Sequence, residues 1–169
     1  NTYYKGTDIR PDFIDPYVVI QKGHVKVGII GVMGYGLESS IAAQMIEPYE
    51  FRDPIIDVAY YSEYLRTQKD VDVILVVAHG YDNANNSFFN YQLAFLEGDQ
   101  HVDAAFNGHR HWTYTEEISR NGVNMPYIQS GGNGSSVGLI RLYVNPQKEV
   151  TGFFSANLNQ NNDMRLRTA

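Results

Sequence analysis

The sequence predicts an α/β domain, or α+β in schemes that give weight to its antiparallel end. Three observations carry this: two nearly unbroken apolar runs, VKVGIIGVM (Val25 to Met33) and VDVILVVA (Val71 to Ala78), a well-marked helix between them, and an Asn121-Gly122 pair between two β-like segments. Strands covered on both faces of a parallel sheet read as such continuous runs. Asn-Gly supplies the left-handed dihedrals of a tight hairpin.

Each element follows in order. Residues 1–16 are polar, contain Pro11 and Pro16, and read as an irregular lead-in. Tyr17 to Ile20, a turn around Gly23, and Val25 to Met33 read as a hairpin into a strand. A glycine-rich loop (Gly34, Gly36) precedes a segment of unassigned class, Ser39 to Tyr49. Asp53 caps the next helix and Pro54 fits its first turn, with Ile55, Ile56, Ala59 and Leu65 as its apolar face. Asp70 to Ala78 is the next strand. Ser87 caps a second helix whose Phe88, Tyr91, Leu93, Phe95 and Leu96 offer buried positions, and Gly98 stops it. Val102 to Phe106 is a third strand, Thr113 to Ser119 and Val123 to Gln129 form the hairpin, and Val137 to Val144 and Val150 to Ala156 add two more strands. The expected organisation is a lead-in over 1–16, a domain over 17–156, and a polar tail or linker over 157–169.

Composition narrows the function. The 169 residues are 43% apolar and 19% charged, enough for one sizeable core. The formal charge is -6 with no basic run, which argues against a nucleic-acid polymer as partner. Cysteine is absent, so disulfides and thiolate metal ligands are excluded, and histidine, carboxylate, carboxamide and water remain as donors. No apolar stretch approaches the ~20 residues of a membrane helix. The start lacks both an initiator methionine and a signal-peptide layout, so the chain is expected to be part of a longer protein.

Chemistry is expected at three of the five histidines. LVVAHG (Leu75 to Gly80) and AFNGHRH (Ala105 to His111) each run out of a strand into histidine, and open α/β sheets hold ligands at the carboxyl ends of their strands. Gly80 lets the chain turn sharply after His79. His109 and His111 can converge in one concavity if the backbone turns after Gly108, or on one face if the strand continues. Neutral imidazoles bind zinc, manganese or iron at about 2.0–2.2 Å. The bland alternatives are a structural strand-end histidine and a surface pair. His24 and His101 occupy polar turn positions and read as solvated.

Together, VKVGIIGVMG, a helix opening with DP, DVDVILVVAHG, DAAFNGHRH and PYIQSGGNGSSVGLIRLYV resemble the second half of the catalytic domain of 5'-nucleotidases, a branch of the calcineurin-like metallophosphoesterases. The resemblance runs from about Tyr17 to Val144. It implies half of a four-layer α/β/β/α sandwich with a mixed sheet and a C-terminal antiparallel hairpin region. It also implies hydrolysis of a nucleotide, another phosphomonoester or a cyclic phosphodiester by a metal-activated water at two divalent ions, with Zn, Mn, Fe and Ca not distinguished. By position, His79 and His109 match ligands of one metal and His111 a ligand of the other. Gln129 to Gly134 would form a loop beside the metals, where Asn133 can face phosphate.

The family's Asp-X-His, Gly-Asp-X-X-Asp and Gly-Asn-His-Glu segments lie upstream of this match, so no catalytic residue is assigned here and the chain alone is expected to be inactive. Its absent half would leave strand edges open to self-association. A secreted, periplasmic or cell-surface location follows from the resemblance alone. A noncatalytic α/β interaction module with incidental metal binding is the alternative.

Three competing signals are weaker. Gly34-Tyr35-Gly36-Leu37-Glu38-Ser39 imitates a dinucleotide turn but ends in serine, with no strand-end acid following. Gly134-Ser135-Ser136-Val137-Gly138 matches a nucleophile elbow, yet a strand rather than a helix follows, so Ser136 reads as a turn residue. The 13 tyrosines and eight phenylalanines read mostly as core.

Overall fold

The computed structural model describes residues 1–34, 37–80 and 88–159. The expected loop residue Gly36, the cap Ser87 and the end of the polar tail lie outside the described residues. The α/β class holds. A six-stranded mixed sheet has the order β2-β3-β5-β6-β8-β7, built from β2 (Tyr17–Lys22), β3 (Val25–Met33), β5 (Val73–His79), β6 (Ala104–Gly108), β7 (Tyr114–Ile118) and β8 (Met125–Gln129). β3, β5, β6 and β8 run parallel, and β2 and β7 close the two edges antiparallel.

Helix α2 (Pro54–Lys69) covers one face of this sheet. The Asp53 side chain accepts a hydrogen bond from the Ile55 amide at 3.0 Å, as its cap position predicts. Its buried residues are Pro54, Asp57, Val58, Ser62 and Leu65, whereas Ile56 is 66% exposed. The expected apolar face is therefore rotated, and Asp57 takes an inward position because Tyr3 donates to it at 2.6 Å and Arg10 pairs with it at 3.5 Å. Burial, reinforced by Asp57, pushes the Tyr3 phenol up to about 12. These contacts also correct the lead-in: Thr2–Tyr4 is a strand, β1, paired antiparallel with β4 (Tyr49–Phe51). Between β3 and β4 the unassigned segment contains a 3-10 turn (Leu37–Ser40) and the short helix α1 (Ala43–Ile46).

Helix α3 (Phe88–Ala94) packs on the same face and buries Phe89, Asn90, Leu93 and Ala94. Phe88, Tyr91 and Phe95 point outward instead of in. The aromatics as a class do not fill the core: Phe89 and Tyr127 are buried, while Phe13, Tyr60, Trp112, Tyr143 and Phe154 are exposed. The β7–β8 hairpin forms, but over a six-residue connection in which Gly122 has φ 89° and Asn121 no positive φ, so it is not a two-residue Asn-Gly turn.

The opposite sheet face meets a second, two-stranded sheet, β9 (Val137–Val144) with β10 (Val150–Leu158). Leu142 and Val144 close over Val27, Val73 and Leu75 around a cavity of about 280 Å³. Asn157 ties the layers together, donating to the carbonyls of Tyr114 at 2.8 Å and Gln129 at 3.0 Å. Nearer the carboxyl ends of the strands the cover stops among the described residues. Val77 is 46% exposed in a central strand, and its neighbour Gly31, paired with it in register, faces open space.

The opposite end of the sheet carries a charged cluster that composition conceals. Asp103 is buried and accepts from Arg66 at 3.1 Å and from the Ile74 amide at 2.8 Å. His101, expected to be solvated, lies 2.9 Å from Arg120 and 3.5 Å from Asp103. Burial drives the Asp103 carboxyl up, but the His101 contact, the Arg66 charge and the Ile74 amide outweigh it and hold the group below the usual aspartate range.

Candidate functional site

The parallel strands end in register on one rim, where Met33 pairs with His79 and His79 with Gly108. His79 is the last residue of β5 and shares the face of Val77, so its ring stands at the edge of the uncovered strip. The ring lies over Gly108: a Cβ there would sit 3.2 Å from His79 Nδ1. Behind it, the Gly34 amide donates to the His79 carbonyl at 2.7 Å, which fixes the strand end to the loop after β3. That bond gives Gly34 a structural role in place of the dinucleotide turn it imitates.

β6 ends at Gly108 and the chain then turns, with His109 at φ 96° and His111 at φ 63°. His111 falls within the ordinary left-handed region, whereas His109 lies beyond it, in a conformation that non-glycine residues seldom adopt. The turn brings His109 Nδ1 to 3.3 Å from His79 Nε2, with the two rings edge to face. Two nitrogens each about 2.05 Å from one tetrahedral ion would stand about 3.3 Å apart, so the pair has the spacing of adjacent ligands on a single metal. His111 is turned toward the next loop: a Cβ on Gly132 would come within 2.5 Å of its Cγ. Among the described residues, no group of three His, Asp or Glu gathers into a metal shell.

The positive φ at His109 costs on the order of 1–3 kcal/mol, which the surrounding structure must sustain. His109→Gly should therefore be more stable than His109→Ala by about 1 kcal/mol in urea unfolding, although glycine ordinarily loses 0.5–1 kcal/mol to chain entropy. Equal or reversed stability would show that the backbone there is relaxed.

Sequence reasoning named the segment from Gln129 to Gly134 and read Ser136 as a turn residue, but missed the contacts through which they support the rim. Gln129, at the end of β8, is buried and donates through Nε2 to the Trp112 carbonyl at 2.8 Å. Ser136 is buried and accepts from the Gly131 amide at 2.8 Å while lying 3.2 Å from Asn157 Oδ1, and β9 follows it, as befits a turn residue. Asn133 is exposed at φ 57° on the Gly132–Gly134 turn against which His111 packs. A local string cannot reveal such partners, because each joins segments 5 to 21 positions apart.

No family model matches the sequence. Among curated proteins, an apyrase of Tabanus yao is 27% identical over 177 residues, covering 92% of this chain and 30% of the apyrase. The cell wall protein Lmo0130 of Listeria monocytogenes is 34% identical over 79 residues, covering 47% of this chain and 10% of that protein. The chain thus spans less than a third of the length of these relatives. Among solved structures, a putative 5'-nucleotidase of Staphylococcus aureus superposes with a TM-score of 0.69 at 18% identity, covering 99% of this chain and 35% of that one. The chain has the 5'-nucleotidase fold. A calcineurin-like phosphoesterase of Bacillus subtilis, YfkN, agrees, with a TM-score of 0.73 at 19% identity over 94% of this chain and 54% of its own. The expected mixed sheet and C-terminal antiparallel hairpin are those of this 5'-nucleotidase fold.

Proposed function

We propose that the chain contributes histidine ligands to a divalent-metal phosphoesterase of 5'-nucleotidase type, acting on nucleotides or related phosphate esters. The observation that carries this is the 3.3 Å approach of His79 Nε2 to His109 Nδ1 at the carboxyl ends of adjacent parallel strands. His79 and His109 would hold one ion and His111 would serve a second. A divalent ion bound there supplies Lewis-acid stabilisation of the charge that develops on the phosphoryl oxygens. The imidazoles hold their nitrogens in place through Gly108 beneath His79 and the strained turn at His109, while Gly34 and Gly80 pack too closely against each other to admit a side chain.

Three neutral imidazoles bring no negative charge, and two cations about 3.5–4 Å apart need anionic ligands between them. The chain alone is accordingly a weak single-ion binder and a poor catalyst, with the carboxylates supplied by another part of a longer protein. The uncovered face at Val77 and Gly31 supports this, since a further layer there would bury apolar surface beside His79. The apyrase and the cell wall protein among the relatives support a secreted, periplasmic or cell-surface setting. No helix among the described residues is long and apolar enough to cross a membrane.

Calorimetry with manganese and zinc tests the reading. His79→Ala, His109→Ala and His111→Ala should each weaken binding, His79 and His109 by tenfold or more. Unchanged affinity in all three would favour a noncatalytic module. Robust phosphate-ester turnover by the purified 169-residue chain would overturn its dependence on other ligands.

A further inference from the structure

Strand β2 forms one outer edge of the six-stranded sheet, and among the described residues no strand pairs with its far side. Three adjacent β-branched residues on it, Val18, Val19 and Ile20, are 53%, 38% and 45% exposed. Natural edge strands are guarded by charges, prolines or bulges. The opposite edge, β7, follows that rule with Glu116 and Glu117. In β2 the one charge, Lys22, stands at the end of the strand and Pro16 lies just before it, so the run between them is bare.

The hairpin fixes which backbone groups of β2 are free. Lys22 pairs with Val25 across the two-residue turn Gly23-His24, where Gly23 has φ 61°, and residues flanking such a turn form a hydrogen-bonded pair. Alternation then aims the N–H and C=O groups of Val18, Ile20 and Lys22 at β3 and those of Tyr17, Val19 and Gln21 outward. Lys26, the partner of Gln21, has the matching phase: its amide and carbonyl turn away from β2 and bond to Asp72. Side chains alternate as well. Tyr17 meets Tyr61 and Tyr64 of α2, with ring centroids 5.7 and 6.0 Å apart, whereas Ile20 shares the face of Val27, toward the β9–β10 layer.

We infer that β2 pairs edge to edge with β2 of a second copy of this chain, antiparallel and centred on Val19, joining the two six-stranded sheets into one. A two-fold axis matches backbone groups of the same phase, so it passes through a residue and not between two. Centring on Val19 uses all three outward residues: Val19 exchanges bonds with the partner's Val19, and Tyr17 with the partner's Gln21. Any other centre leaves at least one of them unpaired or opposite a residue outside β2. On the other face Val18 lies across from the partner's Ile20, a β-branched pair on each side of the axis. Each Lys22 stands opposite the partner's Pro16, which keeps the two ammonium groups about 20 Å apart along the strands. Isologous pairing sets each axial group against its own kind, and an uncharged centre permits it. The α2 face adds Tyr60, 60% exposed and stacked on Tyr64 beside Tyr17, and tyrosine is enriched in interface cores.

Sedimentation of the full chain from about 1 to 200 μM should show a reversible monomer–dimer equilibrium. Val19→Lys and Val19→Glu should each weaken dimerisation by about tenfold or more, because like charges meet at the axis, and an equimolar mixture of the two should associate again. Circular dichroism and urea midpoints establish that both variants are folded. Glu117→Lys, on the guarded edge, should leave the dimer unchanged. A monomer at every concentration in the unsubstituted chain overturns the inference, as does a dimer that persists in both Val19 variants, since the contact would then lie on another edge. Failure of the mixture to associate overturns the pairing through Val19.

Discussion

Asp103→Ala should destabilise the fold by about 3–5 kcal/mol, the range for removing one partner of a buried ion pair. The carboxylate lies between Arg66 and the Ile74 amide, and Ile74 opens the central part of β5. Its loss strands the Arg66 guanidinium, whose other bonds go to the carbonyls of Asp72 and His101. Against a total stability of about 5–15 kcal/mol, such a loss is a third or more of the whole at mid-range and reaches half-unfolding only at the low end. Asp103→Asn keeps the shape and an acceptor for Ile74 but removes the charge, so it should cost less and alter the pH dependence. The folded carboxyl is held below its ordinary value, so its contribution is fully present above about pH 4 and drains away as pH falls through the folded value. Asp57 is also held low, and its share persists in the variant. Urea unfolding from pH 7 to 2 should show a shallower acid limb for Asp103→Asn than for the unsubstituted chain. Parallel limbs would mean that Asp103 titrates alike in both states.

What the sequence disclosed depended on how local each cause is. The runs of β3 and β5 are apolar on both faces because α2 covers one and β9–β10 the other, and such a pattern needs no knowledge of partners. The Asp53-Pro54 start of α2 is equally local. The helix faces were not legible. Asp57 turns inward because Tyr3 and Arg10, some fifty residues earlier, meet it, and Ile56 is left outside. In α3 the aromatic positions Phe88, Tyr91 and Phe95 look like core by chemistry, while the smaller Asn90 and Ala94 take the inner face. His101 resembled a solvated residue because Arg120, its partner, lies on the far hairpin. At the candidate site, two strand-end strings sufficed to place His79 beside His109, since register on parallel strands brings neighbouring carboxyl ends together. The contacts of Gln129 and Gly132 arise from loop packing, which leaves no periodic trace.

Gly80→Val should cost about 2–6 kcal/mol and, if the proposed ion site is real, remove manganese binding with it. Gly80 has φ 118°, beyond the left-handed region that other residues visit, and a β-branched side chain there carries backbone strain on the order of 1–3 kcal/mol. A Cβ would also lie 2.5 Å from Leu37 Cδ1 and 3.3 Å from the Gly34 Cα, an overlap worth about 1–3 kcal/mol more. The leucine tip can yield, but the Gly34 backbone cannot, since its amide is bound to the His79 carbonyl. Strain at residue 80 thus passes straight to the peptide that orients His79. A double-mutant cycle separates the two contributions: Leu37→Ala should recover part of the stability lost in Gly80→Ala, leaving the dihedral cost. Manganese calorimetry on the folded fraction reads the orientation of the histidine. A Gly80→Val protein that unfolds at the original urea midpoint and binds manganese unchanged would show that the turn after β5 can be made another way.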